Sequence, residues 1–99
     1  MKFRYTGEAE RDFVEISAHI ARDDLPTAIR FQAKLEAFTD GIADNPQIYR
    51  LRTEWGKQVR AVRYGSYLVI FEIEGEEMLV LRIVNGRRNI AKLLAERGG

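Results

Sequence analysis

The sequence contains no cysteine and only one histidine, His19. The absence of cysteine excludes disulfide bonds, thiolate nucleophiles and cysteine-ligated metal sites. Long apolar runs are also missing: none approaches the roughly 20 residues of a membrane-spanning helix, and the N-terminal stretch MKFRYTGEAE lacks the apolar core of a signal peptide. We therefore expect a cytoplasmic protein that binds no metal and no cofactor and does not enter a membrane.

Proline is scarce, with two residues in 99, and no segment is repeated or of low complexity. With 45% hydrophobic residues, the composition is that of a folded globular protein and not of a disordered chain. A chain of this length supports one hydrophobic core. We expect a single domain over residues 1–99.

The net charge of +1 hides an uneven distribution of charge. Residues 1–49 contain six Lys or Arg and nine Asp or Glu, whereas residues 50–99 contain ten and six. All ten basic residues of the second half fall in RLRTEWGKQVRAVR and in RIVNGRRNIAKLLAER, which ends at Arg97. A basic surface of this kind attracts an acidic partner.

The first half predicts a short strand followed by two amphipathic helices. KFRY alternates polar and apolar residues, as a half-buried strand does, and Thr6 is a suitable N-cap for the first helix. Asp23, Asp24 and Pro26 mark the start of a second helix, because acidic caps and an early proline are favoured there. Each helix carries one apolar stripe: Ala9, Phe13, Ile16 and Ile20 in the first, and Ala28, Phe31, Leu35, Phe38 and Ile42 in the second.

The second half predicts three strands. QVRAVRY and YLVIFEI are separated by Gly65 and Ser66, and a two-residue loop with glycine first is typical of a type II′ hairpin turn. EGEE forms the next turn, before MLVLRIV. The two apolar strands are expected at the centre of the sheet and the arginine-bearing QVRAVRY at its edge. The expected fold class is α+β in the order β-α-α-β-β-β, with the helical hairpin packed on a mainly antiparallel sheet and a short C-terminal helix or tail.

The stretch LRIVNGRRN, residues 81–89, places Arg82 inside a predicted buried strand and Arg87 and Arg88 on the turn that follows. A buried arginine keeps its charge and needs an anionic or planar partner. For Arg82 this partner is either a ligand or a carboxylate such as Glu72 on the neighbouring strand. Arg87 and Arg88 follow an Asn-Gly pair on an exposed turn, where we expect them to contact a binding partner.

The order and spacing of these elements resemble the ParE branch of the RelE/ParE superfamily, the toxins of type II toxin–antitoxin pairs. The resemblance covers nearly the whole chain, through EAERDFVEISAHIARDDLPTAIRFQAKL, NPQIYRLR, VRAVRYGSYLVIFEI and the strand ending in the Gly-Arg-Arg turn, VLRIVNGRRN. It implies a cytoplasmic toxin held inactive by a cognate ParD-like antitoxin in a hetero-oligomer. For ParE-like members the implied target is DNA gyrase, whereas RelE-like members are ribosome-dependent ribonucleases that cut mRNA.

The residues favour the ParE-like function, which needs no catalysis. RNA cleavage requires groups that transfer protons, and arginine stabilises charge without losing its proton. The resemblance matches Arg60 and Arg82 to basic positions of the ribonuclease members, but the chain has no Tyr or His after Arg88, where those members often carry one. The catalytic residues of the alternative ribonuclease would be Lys57, Arg60 and Arg82.

A toxin that acts by binding needs a basic, partly aromatic surface for an acidic protein partner. We expect the arginines to share one face of the sheet and Trp55 either to join them or to cover the core as a lid. The antitoxin is expected at the open edge VRAVR or in the grooves beside the helical hairpin, and DNA contact only through the antitoxin, because no DNA-binding motif is recognisable. The expected contact residues for target or antitoxin are Trp55, Arg60, Arg63, Arg82, Arg87 and Arg88.

Overall fold

The computed structural model describes residues 1–96 and has the expected α+β architecture. The strands are β1 (Lys2–Tyr5), β2 (Arg60–Tyr64), β3 (Tyr67–Glu74) and β4 (Glu77–Asn85). The helices are α1 (Gly7–Asp23), α2 (Leu25–Asp44) and α3 (Ile90–Ala95), with one 3-10 turn at Pro46–Ile48. The predicted element order and the short C-terminal helix are confirmed. Arg97 of the second basic segment, and with it the end of the expected domain, lies outside the described residues.

The helical hairpin begins and turns at the predicted capping residues. Thr6 is the N-cap of α1, where its Oγ1 accepts a hydrogen bond from the Ala9 N–H at 3.1 Å. Asp24 is the N-cap of α2 and accepts from both the hydroxyl and the backbone N–H of Thr27, and these bonds lower the pKa of the Asp24 carboxyl. Pro26 lies in the first turn of α2, where its missing N–H leaves no hydrogen bond unmade.

The four strands form one mixed sheet in the order β1-β4-β3-β2. β2, β3 and β4 are antiparallel neighbours joined by two-residue turns, whereas β1 runs parallel to β4. Gly65 and Gly75 open these turns with φ of 60° and 61°, values that a residue with a Cβ rarely adopts. The predictions of central β3 and β4, and of β2 at an edge, are therefore confirmed.

The sheet separates two groups of buried side chains. One lies between the sheet and the helical hairpin, where Leu35 and Ile42 of α2 pack with Val69, Phe71 and other apolar residues of the sheet. The second lies on the opposite face and is covered by α3 and by Trp55. Neighbouring residues of a strand point to opposite faces, and both faces of the two central strands are covered, so apolar residues occupy successive positions at Leu68–Phe71 and Met78–Leu81. No helix among residues 1–96 has the length and hydropathy needed to cross a membrane.

A bulge in β4 links the sheet to the start of α1. Ile70 of β3 lies opposite Arg82 and Phe71 lies opposite Val80, so that Leu81 is one extra residue on β4. The backbone N–H of Thr6 donates to the Val80 carbonyl, and the Thr6 hydroxyl donates to the Leu81 carbonyl, both at 2.9 Å. The N-cap of α1 therefore also satisfies the backbone of the bulge.

Replacing Thr6 by alanine removes both the cap and the bond to the bulge. We expect the free energy of unfolding to fall by about 1–2 kcal/mol, as for the loss of a helix cap and a side-chain hydrogen bond. Thr6→Ser keeps the hydroxyl and should lose less than half as much. Urea unfolding of the three proteins measures this difference, and an equal loss in both variants would show that the hydroxyl contributes nothing.

Candidate functional site

Residues 85–89, from the last residue of β4 to the N-cap of α3, carry the two consecutive arginines on an internally bonded backbone, and we call them the arginine turn. The Asn85 side-chain oxygen accepts from the Arg87 N–H at 2.9 Å, and the Asn85 carbonyl accepts from the Arg88 N–H at 3.0 Å. Asn89 closes the turn as the N-cap of α3, accepting from the Lys92 N–H at 3.1 Å. The side chains of Arg87 and Arg88 are exposed, as expected.

Arg63 of β2 reaches the same end of the sheet. A methyl group on Gly86 would lie 3.8 Å from Nη2 of Arg63, so the guanidinium lies beside the arginine turn. The Gly86 N–H also donates to the Ser66 carbonyl at 3.0 Å, which ties the arginine turn to the β2–β3 hairpin. The structure therefore brings together three of the expected contact residues: Arg63, Arg87 and Arg88.

Arg60 does not belong to this group, and the expectation of one shared arginine face was wrong. Arg60 lies opposite Phe71, on the face covered by the helical hairpin, and donates to the Tyr49 carbonyl. Arg63 lies opposite Leu68, on the other face. The physical reason is the alternation of a strand, which sends residues an odd number of positions apart to opposite faces.

Arg82 is paired within the protein, with Asp12 of α1. Its Nε and Nη2 donate to the two carboxylate oxygens of Asp12 at 2.7 and 2.9 Å, and the side chains are only 17% and 10% exposed. These hydrogen bonds, together with the nearby charges of Glu8 and Glu15, raise the pKa of Arg82. A carboxylate partner was expected as one alternative, but Glu72 was the wrong candidate.

Sequence reasoning missed Asp12, although a signal was present. Asp12 is three residues after Ala9 and one before Phe13, so it lies on the apolar stripe of α1. A carboxylate on the inward face of a helix needs a charged or hydrogen-bonding partner. The buried strand that contains Arg82 was the matching signal, but the two residues are 70 positions apart.

Trp55 lies in the loop before β2, at the opposite end of that strand from the arginine turn. It packs against the buried group under α3 and is half-buried. The guanidinium carbon of Arg52 lies 3.9 Å from the centre of its ring, and Arg52 Nε also donates to Glu54 at 2.9 Å. Trp55 therefore lies where a lid over the core would lie, which was one of the two positions expected for it from the sequence.

The three residues of the alternative ribonuclease have separate surroundings. Lys57 is exposed in the loop before β2. Arg60 and Arg82 stand on strands separated by β3, and they donate to the Tyr49 carbonyl and to Asp12 respectively. Within residues 1–96, moreover, no group of three His, Cys, Asp or Glu side chains is arranged to hold a metal ion.

The outer surface of the helical hairpin contains an apolar groove between α1 and α2, which we call the hairpin groove. Val14, Leu25 and Ile29 line it and are 66%, 60% and 58% exposed. Alanines form much of the rest of its lining. The hydroxyl of Ser17 is buried there without a hydrogen-bond partner among the described residues. Large apolar side chains gathered in one exposed groove are typical of a binding surface.

Comparison with known proteins identifies the family. The family model described as the ParE toxin of the type II toxin–antitoxin system, parDE, matches residues 3–90. The chain belongs to the ParE toxin family. This confirms the resemblance drawn from the sequence, and the matched residues of this ParE toxin include Asp12, the hairpin groove and the arginine turn.

A solved structure shows that the ParE fold extends over nearly the whole chain. The chromosomal ParDE toxin–antitoxin system from P. aeruginosa contains a chain that superposes with a TM-score of 0.74. The match covers 86% of this chain and 95% of that chain at 19% sequence identity, so the likeness concerns the fold. No curated protein sequence matches this chain.

Proposed function

We propose that this ParE-family toxin inhibits DNA gyrase by binding to it, and that a cognate ParD-like antitoxin neutralises the toxin by direct contact. The observation that carries the proposal is the arginine turn, which presents Arg87 and Arg88 to solvent on a backbone bonded at both ends. Family membership supports the toxin role, and these exposed cations supply a surface for a large acidic partner.

The construction of the arginine turn suits protein binding. A backbone that is already ordered loses little conformational entropy when a partner docks. Arg63 adds a third guanidinium beside Gly86, and clustered positive charge accelerates the encounter with an acidic surface. Arginine also makes bidentate hydrogen bonds with carboxylates, which gives such a contact orientation as well as attraction.

The environment of Arg82 supports binding over RNA cleavage as the mode of action. An arginine that stabilises a phosphorane must direct its guanidinium to the phosphate. In Arg82 the Nε and one terminal nitrogen are engaged by Asp12. Freeing this side chain would leave the buried Asp12 carboxylate without its cation, which is strongly unfavourable.

The double replacement Arg87→Ala/Arg88→Ala tests the arginine turn. Both side chains are exposed, so the free energy of unfolding should change by less than about 0.5 kcal/mol. The concentration that half-inhibits gyrase supercoiling should rise by more than about tenfold, because truncated contact arginines commonly reduce binding that much, and growth arrest in cells should be lost.

The matched control is Arg22→Ala/Lys34→Ala, which removes two exposed cations from the helical hairpin. It lowers the net charge by the same amount and should inhibit supercoiling as the unmodified toxin does. Full inhibition by the arginine-turn variant would exclude this turn from the target contact.

We place the antitoxin on the hairpin groove, with an amphipathic helix as its contacting element. An exposed apolar groove between two helices accepts such a helix, and Val14, Leu25 and Ile29 are exposed there as apolar anchors. Glu15 connects the surface around Val14 with a small cleft that Arg88 also lines. One antitoxin chain with an acidic segment therefore has a continuous path from the groove to the arginine turn.

Ile29→Asp tests this placement. The side chain is 58% exposed, so folding should be retained while a charge enters the apolar contact. We expect antitoxin affinity to fall about 10- to 100-fold, as when an apolar anchor is lost and a charge is buried without a partner. Calorimetric titration measures the affinity.

Ile48→Asp is the matched control, because Ile48 is 66% exposed and lies in the 3-10 turn after α2. Antitoxin affinity should be unchanged in this variant. If Ile29→Asp and Ile48→Asp bind the antitoxin with the same affinity, the hairpin groove is not part of the antitoxin interface.

A further inference from the structure

The last part of β4 extends beyond its neighbour β1. β1 pairs with residues 77–80 of β4, whereas β4 continues to Asn85. The described sheet therefore has no strand on that side of residues 81–85, and α1 lies along this edge instead. Backbone groups at such an edge need hydrogen-bond partners from elsewhere.

Asp12 is the partner that α1 supplies. Its Oδ2 accepts from the Ile83 backbone N–H at 2.9 Å and from Arg82 Nε at 2.7 Å, while Oδ1 accepts from Arg82 Nη2 at 2.9 Å. One buried carboxylate thus holds two consecutive residues of β4, directly after the extra residue of the bulge. Charge-assisted hydrogen bonds of this kind are stronger than neutral ones.

The arginine turn begins two residues after this contact. Asn85 accepts from the N–H groups of Arg87 and Arg88 and so sets the path of the turn. At the far end, Asn89 caps α3, whose Ile90 is buried under the sheet. The position of the arginine turn therefore depends on the anchoring of β4 at one end and of α3 at the other.

We propose that Asp12 is a positioning residue for target binding: it fixes the end of β4 and thereby the orientation of Arg87 and Arg88. Asp12 is itself buried, so it acts through β4 and not by touching the target. The inference rests on the proposed function for its activity readout, and its structural part is testable without any target.

Tryptic cleavage measures the order of the arginine turn, because trypsin cuts after arginine. The Asp12→Asn replacement removes the charged acceptor of the hydrogen bonds from Arg82 and Ile83. We expect the end of β4 to open locally more often, so that cleavage after Arg87 and Arg88 becomes about tenfold faster. The control is Ile42→Val, which removes one buried methyl group from α2. Both variants are compared at urea concentrations that give them equal free energies of unfolding.

Local positioning requires faster cleavage at the arginine turn in Asp12→Asn than in Ile42→Val. Equal cleavage rates would mean that Asp12 contributes only to global stability, and would overturn the proposal. This comparison stays decisive if the toxin proves not to inhibit gyrase, a result that would refute the proposed function alone.

Inhibition of supercoiling by fully folded protein tests the functional part. Asp12→Asn should inhibit at least about tenfold less well than Ile42→Val, because the arginines lose their fixed orientation. Unchanged supercoiling inhibition alongside faster cleavage would overturn the functional role of Asp12.

Amide hydrogen exchange of the unmodified toxin provides a test that does not depend on the folding of any variant. The Ile83 amide should exchange as slowly as the amides of β3, because its hydrogen bond to Asp12 is buried. Exchange of Ile83 at the rate of an exposed loop amide would show that the bond is not maintained, and would overturn the proposal.

Discussion

The hydrogen bonds of Arg82 and Ile83 to the Asp12 carboxylate join the two halves of this ParE toxin. They hold α1 against the part of β4 that extends beyond β1, next to a bulge whose carbonyls are satisfied by Thr6. One short segment of α1, from its N-cap to Asp12, thus completes the hydrogen bonding of the central strand. The contact lies next to the bulge and two residues before the arginine turn, whose position we propose it fixes.

The same contact divides the arginines by role. Arg82 and Arg60 are bonded inside the fold and stabilise it, whereas Arg87 and Arg88 are exposed at the end of the strand that Arg82 anchors. This division fits the proposed binding function, because Arg82 supports the strand whose end presents the two exposed arginines. Apolar side chains exposed in the hairpin groove provide a second surface, on the outer side of the same helix.

Local features of the fold were predictable from the sequence because local physics determines them. Helix caps at Thr6 and Asp24 and the glycine turn at Gly65 depend on neighbouring residues and were confirmed. The surroundings of the arginines depend on tertiary structure and were predicted less well. Simple strand alternation would have separated Arg60 from Arg63, whereas the pairing of Asp12 with Arg82 required knowledge of which helix covers which strand.

Two parallel assays on the purified toxin, freed from antitoxin, distinguish gyrase binding from RNA cleavage most directly. One follows DNA supercoiling by gyrase and the other follows mRNA cleavage on programmed ribosomes. We expect loss of supercoiling with intact mRNA. Cleaved mRNA with normal supercoiling would contradict this expectation, and would mean that Arg82 leaves Asp12 to serve, with Lys57 and Arg60, in a ribonuclease site.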